Sequence, residues 1–462
     1  GGPARVYGSA GTGKTIVALH RAVHLARTNR EARVLLATFS PALANALRLR
    51  IRQLIGNEPR IGERLEVHSM SSIGQRLYEA NFGKLTLATP ARIREALAEA
   101  AAAVGAVAAV PAIGTRKFTP YFLWSEWTSV VDSWQLATWE EYRDVKRLGR
   151  KTRLPEAQRR TLWSIFEKAK ASLAAEGLIT EPAMFARLAE KLATLKHPVF
   201  DYAVIDEAQD IGIPELRFLA ALGANRANAL FFTGDLGQRI FQQPFSWSSL
   251  GVDVRGRSSR LRINYRTSHQ IRKHADRLLA DRLADVDGQT EERGGTISVF
   301  NGVAPEIAIE KDEAAERARV VAWVKARLGE GLQPHEIAVF VRSAGQLARA
   351  ESVAKGVAVP YVVLDENVET KHGHLTIATM HLAKGLEFRA VAVMACDDEV
   401  IPLQERIEAV TDESDLDDVY ATERHLLYVA CTRARDQLLV TGVTPGSEFV
   451  GDMVKQLRER EA

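Results

Sequence analysis

The stretch Gly8-Ser9-Ala10-Gly11-Thr12-Gly13-Lys14-Thr15 has the spacing G-x-x-x-x-G-K-[ST]. Glycines at 8, 11 and 13 let the backbone turn tightly enough for successive N–H groups to face a phosphate, and a helix starting at the end of the loop adds partial positive charge. Lys14 is then placed to reach the β- and γ-phosphates, and the Thr15 hydroxyl to hold Mg²⁺. An apolar run, Ala4 to Tyr7, precedes the loop and an apolar-periodic segment, Thr15 to Arg27, follows it. That strand-then-helix setting is what separates a phosphate loop from a glycine-rich turn that binds nothing. Gly8, Gly11, Thr12, Gly13, Lys14 and Thr15 are therefore expected to bind a nucleoside triphosphate.

A second chemical group lies at 200–210, where the apolar run ending in Ala203-Val204-Ile205 meets Asp206-Glu207-Ala208-Gln209-Asp210. A buried strand that ends in carboxylates is where a doubly wound sheet places its site. Adjacent Asp206 and Glu207 can divide two tasks, one holding Mg²⁺ and the other orienting or deprotonating water.

Elements of suitable length exist to carry these groups. Apolar runs at 33–37, 203–205, 230–233, 297–300, 337–341, 391–395 and 438–440 alternate with helix-length periodic segments, a pattern of parallel sheets covered by helices. From about Leu85 to Pro198 the pattern changes to long helical segments, an alanine-rich one at Ala91 to Val110 and a tryptophan-rich one at Tyr121 to Trp139. This block reads as a helical insertion. At 462 residues the chain is too long for one ordinary core, with a prior of about three domains.

Four further stretches follow in order: GDLGQRIF at 234–241, NYRT at 264–267, TMHLAKGLEF at 379–388 and LLYVACTRAR at 426–435. With the phosphate loop and DEAQD they resemble motifs I to VI of the UvrD/Rep-type superfamily 1 helicases, in order and in spacing. The resemblance implies an α/β fold of two RecA-like P-loop cores with one α-helical insertion. It divides the chain into a first core (1–84 and 199–256), the insertion (85–198) and a second core (257–462). It implies ATP and Mg²⁺ bound between the cores, single-stranded DNA or a tailed duplex as the track, and 3′-to-5′ stepping.

By the same resemblance Lys14 binds phosphate, Thr15 and Asp206 bind Mg²⁺, Glu207 is the general base, and Gln238 senses the γ-phosphate or its attacking water. Arg266 and Arg433 reach the γ-phosphoryl group from the second core. Positioned cations suit a loose phosphoryl-transfer transition state, and arginines from a second core make hydrolysis depend on cleft closure. Tyr265 would stack on adenine, and Gly385 and Glu387 would contact the phosphate and ribose region. On the nucleic-acid side the resemblance points to Thr38, Phe39, His68 and Ser69 on the first core and to Thr379 and His381 on the second. Trp247 falls where relatives carry a base-stacking aromatic, but the usual aromatic-Arg-Gly pattern is absent and Phe245 is an alternative. A basic cluster at Arg143, Lys146, Arg147, Arg150, Lys151 and Arg153, after Trp134, Trp139 and Tyr142, suits either a single strand or a solvated helix face. The acidic stretch Asp412 to Asp418 reads as an exposed loop.

The chain departs from the family pattern in two places. Only Asp365 to His374 is left for the second accessory insertion (2B), so processive unwinding is not implied. Gly1-Gly2-Pro3 leaves no room for the adenine-selecting segment, so the natural N-terminus is expected upstream. A remodelling ATPase acting on a protein such as RNA polymerase is a second reading of the same motor, and a protein loading partner is compatible with either. RNA stays open as a track because backbone contacts and stacking are shared between the two nucleic acids.

Composition narrows the setting. Lys and Arg number 61 against 58 Asp and Glu, so net charge, +3, does not by itself indicate nucleic acid. Two cysteines, Cys396 and Cys431, are too few for a disulfide framework, no apolar run reaches membrane-span length, and no signal segment is visible. These features lead to the expectation of a cytoplasmic protein, and a monomer is expected.

Overall fold

The computed structural model describes all residues except 106–117, 146–153, 225, 241–244, 281, 289, 293–294, 366–368, 409–412 and 455–462. Two six-stranded sheets dominate it, and every strand pair in both is parallel. Among the described residues no helix is long and apolar enough to cross a membrane.

The first sheet is built from β1 (Ala4–Tyr7), β2 (Val34–Thr38), β3 (Leu65–Ser69), β4 (Tyr202–Ile205), β5 (Leu230–Gly234) and β6 (Ser258–Arg260), in the order β3-β2-β4-β5-β1-β6. β2 and β4 are buried along their whole length, as the continuous apolar runs VLLA and YAVI require of strands covered on both faces. One apolar cluster, including Leu19, Val23, Val34 and Leu36, fills one face, and another, including Phe185, Phe218 and Phe232, fills the other. β6 lies beyond the boundary expected at 256/257 and pairs with β1, so the first sheet extends at least to residue 260.

The second sheet comprises β11 (Glu306–Glu310), β12 (Ile337–Val341), β13 (Tyr361–Val363), β14 (Leu375–Thr379), β15 (Phe388–Val393) and β16 (Ala434–Val443), in the order β11-β16-β15-β12-β14-β13. Between the sheets run two small ribbons, β7 (Ile263–Asn264) with β10 (Ile297–Ser298), and β8 (Arg282–Ala284) with β9 (Thr290–Glu292). The run expected at 297–300 is thus a strand of only two residues. Strands at β3, β6, β11 and β14 were not among the expected apolar runs, because their polar residues (Glu66 and His68, or Glu306 and Glu310) break the apolar sequence.

The insertion is helical, with Trp127, Tyr142, Trp163 and Phe166 at its centre. The tryptophan-rich stretch is not one helix, as expected, but breaks at Gln135, which takes a left-handed conformation at φ 54°. Chain direction resets there, and the next helix, Trp139–Asp144, starts from a reciprocal cap in which Thr138 accepts the Glu141 N–H and Glu141 accepts the Thr138 N–H. The alanine-rich helix ends at Ala103, two residues before left-handed Gly105. Of the expected basic cluster, Lys146, Arg147, Arg150, Lys151 and Arg153 lie outside the described residues, and Arg143 pairs with Asp144. Asp412 also lies outside them, whereas Asp418 belongs to the helix Glu413–Cys431 rather than to a loop.

Candidate nucleotide cleft and nucleic-acid face

In the first sheet β4, β5 and β1 are neighbours, so their carboxyl ends bring three loops side by side: Asp206-Glu207 after β4, Gly234 to Gln238 after β5 and the glycine-rich loop after β1. Gly11 and Gly13 have φ of 78° and 85°, a region that costs other residues. A Cβ on Gly11 would lie 2.5 Å from Asn264 Oδ1. The helix Lys14–Thr28 begins at Gly13 with no side-chain cap among the described residues, which leaves its first N–H groups to an anion.

Lys14 is buried and folds back on its own loop, donating to the Gly8 carbonyl at 2.7 Å and the Ser9 carbonyl at 3.0 Å. Burial lowers its pKa, against the raising effect of Asp235, Glu207 and Asp206. Asp206 accepts from the Thr233 hydroxyl at 2.6 Å and from Thr15, while burial and the neighbouring Glu207 push its pKa up to about 6. The Thr15 hydroxyl and the Asp206 carboxylate therefore form an oxygen-donor pair at the end of the loop, the donor chemistry that Mg²⁺ takes.

Glu207 occupies the left-handed region at φ 58°, a strained geometry for a residue with a side chain. Burial alone would raise its pKa, but Lys384, Lys14, the Gln209 amide and Arg433 more than offset it, and the carboxyl titrates below its ordinary range. Gln238 is equally constrained, its Nε2 donating to Asp235 Oδ2 at 2.7 Å and its Oε1 accepting from Arg433 Nη2 at 3.1 Å. Arg433 is 1% exposed and also donates to the Val429 carbonyl. Burial and nearby Arg266 lower it to about 10, which leaves it charged at neutral pH.

The NYRT segment clamps the glycine-rich loop directly. Asn264 Nδ2 donates to the Ala10 carbonyl at 2.8 Å, and the Tyr265 N–H donates to the Gly11 carbonyl at 2.9 Å. The Tyr265 side chain stands 61% exposed beside the loop. Arg266 pairs with Glu387 at 3.0 Å, which unites two residues that the sequence reading had assigned separately. Gly385, at φ 81°, packs so closely on Leu43 that a Cβ there would overlap its side chain, bringing the 379–388 segment onto the helix Pro41–Ile55 of the first core.

Lys384 was missed as a site residue. Its Nζ forms a buried ion pair with Asp210, lies 3.6 Å from Glu207 Oε2 and donates to the Gln238 carbonyl at 3.0 Å. Burial pushes Asp210 up to about 6 even with Lys384 against it. A lysine inside TMHLAKGLEF and an aspartate three residues after Glu207 were the available signals, but nothing in the sequence says that they meet. A second link was equally hidden: Glu291 of β9 pairs with buried Arg5 and accepts the Leu236 N–H at 2.9 Å.

The candidate nucleic-acid residues fall in three places. Thr38 and Ser69 end neighbouring strands β2 and β3 in register, with Phe39 exposed just beyond. Among the described residues the buried Thr38 hydroxyl has no hydrogen-bond partner, whereas Ser69 caps the helix Met70–Phe82 by accepting the Ser72 N–H. His68 contacts Glu66 at 3.2 Å, and burial, with Arg76 and Arg48, lowers its pKa. Thr379 ends β14, and His381 follows in a short turn where burial and Arg342 lower its pKa to about 4. Phe245 and Trp247 pack against the first core instead of standing free. The Trp247 ring meets Phe232 edge-on at 5.0 Å, and its backbone N–H is held by Asp287.

Residues 1–244 match the family model of the UvrD/REP helicase N-terminal domain, and residues 364–444 that of the UvrD-like helicase C-terminal domain. The chain is 38% identical over 101 residues to the ATP-dependent DNA helicase PcrA of Staphylococcus aureus, a match covering 20% of this chain and 13% of the relative. With PcrA of Staphylococcus epidermidis it is 38% identical over 79 residues, covering 17% and 10%. These matched stretches span only about a tenth of the relatives' length. A solved C-terminal domain of a possible DNA helicase from Lactobacillus plantarum is similar at 22% identity over 41% of this chain and 93% of that one, with a TM-score of 0.27. With more than half of its residues matched by the N-terminal model alone, in the region that carries the phosphate loop, the carboxylate pair and Gln238, the chain belongs to the UvrD/Rep helicase family.

Proposed function

We propose that this protein is an ATP-driven motor on single-stranded DNA, stepping 3′ to 5′ and separating strands as its output. The observation that carries the reading is the Arg433–Gln238 contact, which joins the second sheet's side of the cleft to the loop beside Asp206 and Glu207. ATP is the substrate. Lys14 would leave the carbonyls of its own loop for the β/γ-phosphates, with the N–H groups of Gly8, Gly11, Thr12 and Gly13 around them. Thr15 and Asp206 would hold Mg²⁺, which when bound neutralises phosphate charge. Glu207 takes the proton of the attacking water, Gln238 orients that water, and Arg266 and Arg433 stabilise charge on the γ-phosphoryl group. Tyr265 offers a ring to adenine, while Gly385 and Glu387 lie beside the phosphate and ribose region. Single-stranded DNA runs over Thr38, Phe39, His68, Ser69, Thr379 and His381. We also propose the division into two cores and an insertion, with the first core continuing through β6.

The test is ATP hydrolysis with and without single-stranded DNA, followed by unwinding of tailed duplexes of both polarities in DNA and RNA. The motor reading requires stimulation by DNA and a preference for 3′ tails. A rate indifferent to DNA, yet abolished by Glu207→Gln, would leave only a nucleoside triphosphatase.

The Lys384 contacts make a pH prediction. Among the cations lowering the Glu207 pKa, Lys384 comes first. Its removal in Lys384→Met raises that pKa, so the base becomes protonated at higher pH. The acid limb of the kcat profile should therefore move to higher pH, measurably so from initial rates between pH 5 and 8. An unmoved limb would show that Lys384 does not act on the base.

A further inference from the structure

The two residues Gln238 and Arg239 are gripped from the second-sheet side at three atoms. Arg433 takes the Gln238 side chain, Lys384 takes the Gln238 carbonyl, and His425 Nδ1 lies 3.0 Å from the Arg239 carbonyl. These two carbonyls end the short 3₁₀ turn Leu236–Gln238, where carbonyls have no partner within the turn and favour hydrogen-bond donors. Because a carbonyl only accepts, the His425 Nδ1 must carry the proton in this contact.

Within its own segment Gln238 is nearly rigid. Asp235 Oδ2 takes its amide, Asp235 Oδ1 takes the Gly237 N–H, and the Gln238 N–H bonds the Asp235 carbonyl. What remains to be set is how the whole turn sits against the helix Glu413–Cys431, just past which Arg433 emerges. The helix is itself held on the second core by the buried Glu423–Arg342 ion pair and by Leu426, Leu427 and Tyr428, so a single contact at Arg433 would leave the turn free to swing against it. His425 is buried on the same helix, eight residues before Arg433 and about 9 Å along the axis from the helix end at Cys431. A second anchor at that distance fixes how the turn lies along the helix as well as where it touches.

We infer that His425 is a positioning residue for ATP hydrolysis: its Nδ1–H holds the Arg239 carbonyl and so sets Gln238 against Arg433 when the cleft closes. The inference rests on the ATPase reading above. His425 touches neither nucleotide nor reacting water in this account, so its loss should reduce kcat and spare nucleotide binding.

The experiment compares full-length wild type, His425→Leu, which keeps apolar volume and removes the donor, and His425→Asn, whose amide places an N–H at the Nδ1 position. Leucine should lower the DNA-stimulated kcat by about tenfold, the size expected for one lost buried hydrogen bond, with KM for ATP unchanged. Asparagine should restore most of it. Hydrogen exchange at the amides of 236–239, read in the same proteins without nucleotide, should quicken with leucine and not with asparagine. Equal rates and equal exchange in all three proteins would overturn the proposal, as would an asparagine variant as impaired as the leucine one. If wild type shows no DNA-stimulated hydrolysis, the motor reading fails by itself, and the exchange measurement still decides whether His425 holds the turn.

Discussion

Arg433→Ala is expected to lower the turnover of ATP by about 10³-fold, at the lower end of what a transition-state arginine contributes. The effect should fall on kcat, because the guanidinium meets Gln238 and not the glycine-rich loop that carries most nucleotide contacts in the proposed complex. Two consequences of the deletion have to be separated. The side chain is almost wholly buried and donates to the carbonyls of Val429 and Leu386, so alanine leaves both without that donor and opens a cavity. A stability loss alone would lower the melting temperature and the active fraction while leaving kcat per folded molecule intact. Arg433→Lys distinguishes the cases: it keeps a cation near Glu207 but cannot reproduce the planar set of donors. Steady-state rates corrected for active sites, with nucleotide affinity measured by a fluorescent ATP analogue, are the check. A turnover within about threefold of wild type in the alanine variant would remove Arg433 from the chemistry.

Glu207→Gln should abolish hydrolysis to a comparable degree, about 10²- to 10⁴-fold for the loss of a general base, while preserving binding of ATP and DNA. The substitution is nearly isosteric, and the new carbonyl oxygen can still accept the Gln209 amide that holds the carboxylate at 2.5 Å. The left-handed backbone at 207 carries over, so the geometry of the loop should survive. Lys384 then faces one anionic partner, Asp210, in place of two. Trapping of ATP-bound protein on single-stranded DNA, seen as slower release in the variant, is the accompanying result. Full hydrolysis in Glu207→Gln would transfer the base role to another group.

Much of the cleft was legible in advance because its parts are local. A glycine-rich loop needs its glycines, lysine and threonine within eight residues, and a strand running into Asp206-Glu207 announces itself by an apolar run that stops at two carboxylates. The continuous apolar runs of β2, β4 and β12 identified both sheets for the same reason: strands covered on two faces leave no polar position. Mixed strands such as β3, with Glu66 and His68 in alternation, give a weaker signal over five residues. The tryptophan-rich stretch misled because its apolar spacing continues through Gln135, where the chain turns.

The contacts between the two sheets' sides of the cleft were not legible. Lys384 and Asp210 are 174 residues apart, and His425 and Arg239 are 186 apart. Each is an ordinary polar residue in its local sequence, and only the packing of two sheets decides which donors face which acceptors. Trp247 shows the converse: its position suggested a base-stacking ring, and Phe232 and Asp287 engage it within the protein.

By itself the sequence determined the chemical groups, the order of the motifs and the α/β character of the chain, since each depends on residues close together and on local periodicity. Tertiary structure alone decided that Gln238 and Arg239 are held at three points from across the cleft, that Lys384 stands between Glu207 and Asp210, and that Arg266 is paired with Glu387. For the buried groups among these, Gln238, Lys384, Asp210 and Arg433, the physical reason is that burial makes an unmatched polar group or charge costly, so each must find a partner, and only the folded chain brings the partners within reach.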